Sequence, residues 1–124
     1  MSNVKTVKIL IADDEASLRF LIHETIADPA LQVLEAQDGL EALQIARSQH
    51  PKMVLLDVAM PGLSGVEVCQ QLKADPATRD IQVVMVTAFS QTKDREKALA
   101  AGADYFIIKP FSPTQLFELV DKIL

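Results

Sequence analysis

The chain has 124 residues, 49% apolar and 23% charged, the balance of one globular domain able to bury its own core. A formal net charge of −5 argues against nucleic-acid binding through phosphate neutralisation. A single cysteine, Cys69, excludes an internal disulfide. The Val7–Ala12 run, short and interrupted by Lys8, is no signal core or membrane span, so no membrane association and a cytoplasmic location are expected.

Apolar runs of strand length alternate with stretches of helical period. Lys8 to Ala12 is the first predicted strand. Leu18, Leu21, Ile22, Thr25 and Ile26 follow at helical spacing and mark the first helix, which Asp28-Pro29 ends. Asp13, Asp14 and Glu15 are expected to give that helix an acidic first turn. Gln32 to Ala36 is a short second strand. Asp38-Gly39 supplies a turn and an N-cap for the second helix, carried by Leu40, Leu43 and Ala46.

Pro51 breaks the chain before the third strand, Met53 to Asp57. A loop from Gly62 to Gly65 leads to the third helix, carried by Val66, Cys69, Leu72 and Lys73 and closed by Asp75-Pro76. Gln82 to Thr87 is the fourth strand. The fourth helix, Lys93 to Ala101, is stopped by Gly102 as its C′ residue. Tyr105 to Ile108 is the fifth strand. The fifth helix runs from Pro113 through Leu116, Leu119 and Val120 to Ile123. The first, third and fourth strands are near-continuous aliphatic runs, which indicates a parallel sheet covered on both faces. The fold class is α/β: one doubly wound domain spanning residues 1–124.

The stretch Val54-Leu55-Leu56-Asp57 runs three large apolar residues straight into a carboxylate. An unpaired buried carboxylate is costly, so Asp57 needs a partner, a cation or a surface. Its position supplies the answer. Asp13 and Asp14 follow the first strand, Asp57 ends the third, Thr87 ends the fourth and Lys109 follows the fifth. All carboxyl ends of a parallel sheet lie on one edge, where ligands bind at the switch in strand order. Adopting the order 2-1-3-4-5 known from doubly wound sheets makes strands one and three neighbours, so the three aspartates meet. Three close carboxylates need a cation, and hard oxygen donors suit Mg2+. An ammonium at Lys109 and a hydroxyl at Thr87 suit phosphoryl oxygens. The pattern reads as phosphoryl transfer onto Asp57 as nucleophile.

Four motifs in order carry a family resemblance: Ala12-Asp13-Asp14-Glu15, Leu56-Asp57-Val58-Ala59-Met60-Pro61-Gly62, Val86-Thr87-Ala88, and Gly102-Ala103-Asp104 leading to Lys109-Pro110-Phe111. Together they span the chain, which resembles a receiver domain of two-component response regulators, similar to the chemotaxis regulator, with a flavodoxin-like sheet. The resemblance implies that Asp57 is the phospho-acceptor. It implies Asp14 as the direct Mg2+ ligand, Asp13 acting through a water, and the Ala59 carbonyl as a third protein ligand. Lys109 would pair with the phosphoryl group ahead of a cis Lys109-Pro110 peptide, and Thr87 would bond a phosphoryl oxygen. Small Ala88 would leave the approach to Asp57 open. Phe106 would be a switch aromatic, turning inward as Thr87 moves, so that the face of helix four, strand five and helix five changes. The implied partners are a sensor histidine kinase or phosphotransfer protein and a downstream protein target, with no direct nucleic acid. The implied state is a monomer or a weak phosphorylation-dependent dimer. Such a protein is not an enzyme in the ordinary sense, although it promotes its own Mg2+-dependent phosphorylation and dephosphorylation.

Other function classes fit less well. A phosphatase with an aspartyl-phosphate intermediate needs an acid two residues after the nucleophile, where this chain has Ala59. A flavin carrier needs a phosphate loop after the first strand, where Asp13-Asp14 would repel a phosphate, and the chain has no tryptophan. A phosphate-independent receiver is disfavoured because Asp13, Asp14, Asp57, Thr87 and Lys109 are all present. Cys69 is expected as an inert core thiol, and His23 and His50 as surface residues. With no polar side chain at Ala59 and bulky Phe89 as a shield, slow self-dephosphorylation is expected. The Asp75 to Asp80 loop and the lack of arginine in helix five favour a single-domain regulator. An N-terminal receiver of a larger regulator, with an enzymatic or DNA-binding output domain, is the alternative.

Overall fold

The computed structural model describes residues 7–88 and 92–124, without the side chains of 92–95. Its elements are β1 Val7–Ala12, α1 Ala16–Ile26, β2 Leu31–Ala36, α2 Gly39–Gln49, β3 Met53–Asp57, α3 Gly65–Ala74, β4 Gln82–Thr87, α4 Thr92–Ala100, β5 Tyr105–Ile108 and α5 Pro113–Ile123. Five parallel strands lie in the order β2-β1-β3-β4-β5. The expected fold and strand order hold. Among the described residues no helix is long and apolar enough to cross a membrane.

Strand alternation divides the core in two. Ile9 and Ile11 of β1, Met53 and Leu55 of β3, and Val84 and Val86 of β4 pack with Ile22 and Ile26 of α1 and Leu116 and Val120 of α5. The intervening Leu10, Val54, Leu56, Val83 and Met85 pack with Leu43 of α2 and Val68, Cys69 and Leu72 of α3. Because successive side chains of a strand point to opposite faces, aliphatic residues at every position are what a doubly covered sheet requires. Every residue of β3 is buried, Asp57 included.

Several helix starts follow local side-chain chemistry. Asp38 accepts the Glu41 N–H at 2.8 Å, Ser64 accepts the Glu67 N–H at 3.2 Å, and Ser112 with Gln115 forms a reciprocal capping box around Pro113. Gly65 opens α3 rather than closing the preceding loop. The start of α1 corrects the sequence expectation. Its first turn contains no acidic residue, and Glu15 occupies an extended N-cap position. The chain bends after β1 before the helix begins, so Asp13 and Asp14 stay at the sheet edge. Two helix-stripe residues are also corrected: Leu21 is 48% and Leu40 56% exposed. In α1 only Ile22 and Ile26 are fully buried, and Thr25 is half-buried, its hydroxyl donating to the Leu21 carbonyl at 2.7 Å. The C-terminus of α4 behaves as expected. Gly102 takes φ +95°, and the bonds Gly102 N–H to Leu99 O (3.0 Å) and Ala103 N–H to Ala98 O (3.1 Å) complete a Schellman turn.

Candidate functional site

The loops at the carboxyl edge of the sheet build the site. The β1–β3 pairing sets Ala12 opposite Leu56, so Asp13 and Asp57, one residue further on each strand, emerge side by side. Val58 N–H donates to Val86 O at 3.1 Å and extends the β3–β4 pairing past Asp57. Gly65 packs so close that a Cβ there would collide with the Asp57 carbonyl, so α3 starts directly against the Asp57 backbone. Thr87 ends β4 and is buried. Lys109 follows β5, its N–H donates to Thr87 O at 2.7 Å, and the Lys109–Pro110 peptide is cis.

Asp13, Asp14 and Asp57 each offer a carboxylate oxygen, all within 4.8 Å of one another. Asp13 and Asp57 are buried and Asp14 is exposed. Asp13 Oδ1 accepts the Glu15 N–H at 2.8 Å, and Asp57 Oδ1 accepts the Ala59 N–H at 3.2 Å. The Lys109 Nζ lies 3.4 Å from Asp13 Oδ2 and 3.3 Å from Asp57 Oδ2. Burial pushes the Asp57 carboxyl up from 3.8 to about 6, and the Asp13 charge acts the same way. Lys109 and the Ala59 N–H pull it down without cancelling that rise. Lys109 itself is shifted upward: burial acts against its charge, but Asp57 and Asp13 outweigh burial.

One ammonium among three carboxylates leaves an excess of negative charge. The donors are hard oxygens, and two of them, Asp14 and Asp57, line a cavity of about 270 Å³ together with Glu15, Val58, Ala59, Thr87, Ala88 and Lys109. That donor set fits a small divalent cation such as Mg2+, with room beside it for a phosphoryl-sized anion. The structure therefore gathers Asp13, Asp14, Asp57, Ala59, Thr87 and Lys109 in one place. Phe106 stands apart. It is half-buried, pairs with Met85 in the β4–β5 register, and lines a separate groove with Ile107, Ile108, Gln115 and Leu119. Phe89 lies outside the described residues.

Other expected residues keep plainer places. Cys69 is buried in α3, and burial pushes its thiol up to about 11, so it stays protonated. His23 and His50 are half-exposed, His23 against Glu35 at 3.3 Å and His50 against Asp80 at 3.0 Å.

Two polar networks escape the sequence pattern, one around Arg19 and one around Lys73. Arg19 of α1 donates to the Asp13 carbonyl at 2.6 Å and pairs with Glu35 of β2 at 3.2 Å. Lys73 of α3 pairs with Asp104 at 2.8 Å and donates to the carbonyls of Arg79 (3.0 Å) and Ile81 (2.7 Å). Asp104 in turn accepts the Val83 N–H at 2.8 Å. Neither arginine nor lysine stands out on its helix; only the register of the sheet brings their partners near.

This doubly wound parallel sheet, with acidic residues at the switch point and Lys109 across from Asp57, has the layout of a signalling receiver domain. Residues 9–121 match the response regulator receiver domain model, and the chain belongs to that family of two-component signalling domains. It is 42% identical over 117 residues to a probable transcriptional regulator ycf27 of Porphyridium aerugineum, covering 94% of this chain and 48% of that protein. To the phosphate regulon transcriptional regulatory protein PhoB of Escherichia coli it is 37% identical, covering 94% of this chain and 51% of that protein. The chain thus spans about half the length of these curated relatives. The structure of the chemotaxis response regulator CheY4 of Vibrio cholerae superposes with a TM-score of 0.89 at 28% identity, covering 97% of this chain and 100% of that one.

Proposed function

We propose that the chain is a phosphoacceptor switch of a two-component phosphorelay, with Asp57 as the acceptor. The donor is a phosphohistidine on a sensor kinase or phosphotransfer protein. An Asp57 carboxylate oxygen attacks its phosphorus. A P–O bond forms as the P–N bond breaks, and the imidazole leaves with the electron pair and takes up a proton. Lys109 follows the developing charge on one phosphoryl oxygen, and the Thr87 hydroxyl holds another. Asp13, Asp14, Asp57 and the Ala59 carbonyl would hold Mg2+, which when bound would neutralise charge on the carboxylates and the phosphoryl group. The observation that carries this reading is Asp57 itself: a buried strand-terminal carboxylate facing the cavity, 3.3 Å from an ammonium and within 4.8 Å of two other carboxylates. The chain promotes its own phosphorylation and hydrolysis rather than turning over a free substrate, and it acts in the cytoplasm.

The output is a change of protein binding through the face of α4, β5 and α5. The anchoring of α4 supports this. Among its described side chains only Ala98 is buried, and Leu99 is 60% exposed. A helix whose described side chains bury so little apolar surface shifts at small cost when the phosphate draws in Thr87 and Phe106. A second reading rests on the length of the relatives: the same switch serves as the receiver of a longer regulator, with the output in another domain.

Intact mass after incubation with Mg2+ and acetyl phosphate tests the chemistry. One phosphoryl adduct is expected, absent without Mg2+ and absent in Asp57→Ala. An adduct that persists in Asp57→Ala would remove Asp57 from its role.

A further inference from the structure

We infer that Arg19 is a positioning residue for the cation site: braced by Glu35, it clamps the Asp13 carbonyl and so fixes how Asp14 is presented. The inference rests on reading the acidic cluster as a Mg2+ site. Arg19 stands in the second turn of α1, and its side chain is 15% exposed. Its guanidinium donates through Nη1 to the Asp13 carbonyl at 2.6 Å and through Nε to Glu35 Oε1 at 3.2 Å. Glu35 is held from its other side by His23 Nδ1, 3.3 Å from Oε2.

The clamp acts on the peptide between two aspartates. Asp13 is already fixed at its N–H, which donates to Ala36 O at 3.1 Å, and at its carboxylate, by the Glu15 N–H and Lys109. Only its carbonyl side leads on to Asp14. The peptide unit is planar, so fixing the Asp13 oxygen fixes the plane from which the Asp14 Cα departs. Asp14 is exposed, so packing does little to hold it. The bond from Arg19 supplies that order across the helix–sheet boundary.

A positive guanidinium near a cation site would also repel the cation. That effect is weakened here, because the Glu35 carboxylate lies against Nε and the Asp13 carbonyl dipole against Nη1. The two effects have opposite signs on removal of the side chain. Loss of a positioning contact weakens cation binding; loss of a repelling charge strengthens it.

The test compares the native chain with Arg19→Met, Arg19→Lys and Glu35→Ala. Mg2+ affinity is measured by calorimetry at pH 7, and exchange of the Glu15 amide is followed in metal-free protein. Arg19→Met is expected to weaken Mg2+ binding about tenfold, as loss of an outer contact to a ligand does. It should also speed exchange of the Glu15 amide, whose bond to Asp13 Oδ1 depends on the loop geometry. Arg19→Lys, which keeps a donor, should restore most of both. Glu35→Ala lies on an exposed side chain and should fall between; it carries the test if Arg19→Met does not fold. Unchanged or tighter Mg2+ binding in Arg19→Met, with unchanged Glu15 exchange, overturns the inference. A native chain that binds no Mg2+ overturns the phosphoacceptor reading instead, and Glu15 exchange still decides whether the clamp exists.

Discussion

The Lys109 ammonium lies 3.3 Å from Asp57 Oδ2, and the same nitrogen lies 3.4 Å from Asp13 Oδ2. It is the counter-charge of a buried carboxylate pair. Replacing it by methionine leaves both carboxylates uncompensated, so Lys109→Met should destabilise the metal-free protein by about 2 kcal/mol at pH 7, less than a fully buried pair would cost. Lys109 is charged in folded and unfolded chains at this pH. The loss should therefore shrink by pH 5 only because Asp57, pushed up to about 6, then takes a proton and no longer needs the partner. Urea unfolding at the two pH values checks this; an equal loss at both would show that the lysine acts through packing alone.

Asp57 makes the folded state less stable as pH rises. Its carboxyl sits at about 6 in the folded protein against an ordinary 3.8. Between those values the folded chain binds more protons than the unfolded one, so stability falls with rising pH across that window. Asp57→Asn removes the buried charge. It should be more stable than the native metal-free chain at pH 7, on the order of 1–3 kcal/mol, with the gain fading toward about pH 4. Thermal melts of both proteins across this range decide it, and a gain that grows on acidification would reverse the assignment.

The strand order could be adopted but not calculated from the residues, yet the aliphatic runs ending in polar residues were enough to place Asp13, Asp57 and Thr87 on one edge. What was legible depended on period and on strand ends. Asp38 was readable as a cap because the effect is local. The exposure of Leu21 and Leu40 was not, because helical spacing marks a broad stripe while the sheet covers only part of it. The acidic Asp13-Asp14-Glu15 run precedes the helix instead of forming its first turn, because the chain bends after β1 at a place no residue pattern marks. The pairs Arg19–Glu35 and Lys73–Asp104 were invisible, since their partners lie 16 and 31 positions apart in the chain and meet only in the folded sheet.

Lys73 and Asp104 join α3 to the corner before β5. Both are mostly shielded, at 17% and 29% side-chain exposure, and their 2.8 Å pair sits among two carbonyl acceptors and the Val83 N–H. Lys73→Met should cost about 2 kcal/mol, because Asp104 and two carbonyls lose a donor together. A double-mutant cycle with Asp104→Asn should give a coupling of about 1 kcal/mol. Additive single effects would show that the pair contributes nothing of its own.

Thr87 and Phe106 lie on neighbouring strands two register steps apart, since Thr87 pairs with Ile108 and Phe106 with Met85. If the phosphate acts on the output face through them, the two must be coupled. Fluorine-labelled phenylalanine reports this directly. Beryllofluoride with Mg2+, standing in for the phosphoryl group, should shift the Phe106 resonance in the native chain. Thr87→Ala should still take a phosphoryl adduct from acetyl phosphate, because Asp57, Asp14 and Lys109 remain. It should nevertheless lose the hydrogen bond that biases the ring, worth about 1 kcal/mol, and with it roughly a fivefold share of the inward population. A full Phe106 shift in Thr87→Ala would mean that the ring answers to the acceptor by another route, and that the hydroxyl serves phosphoryl binding alone.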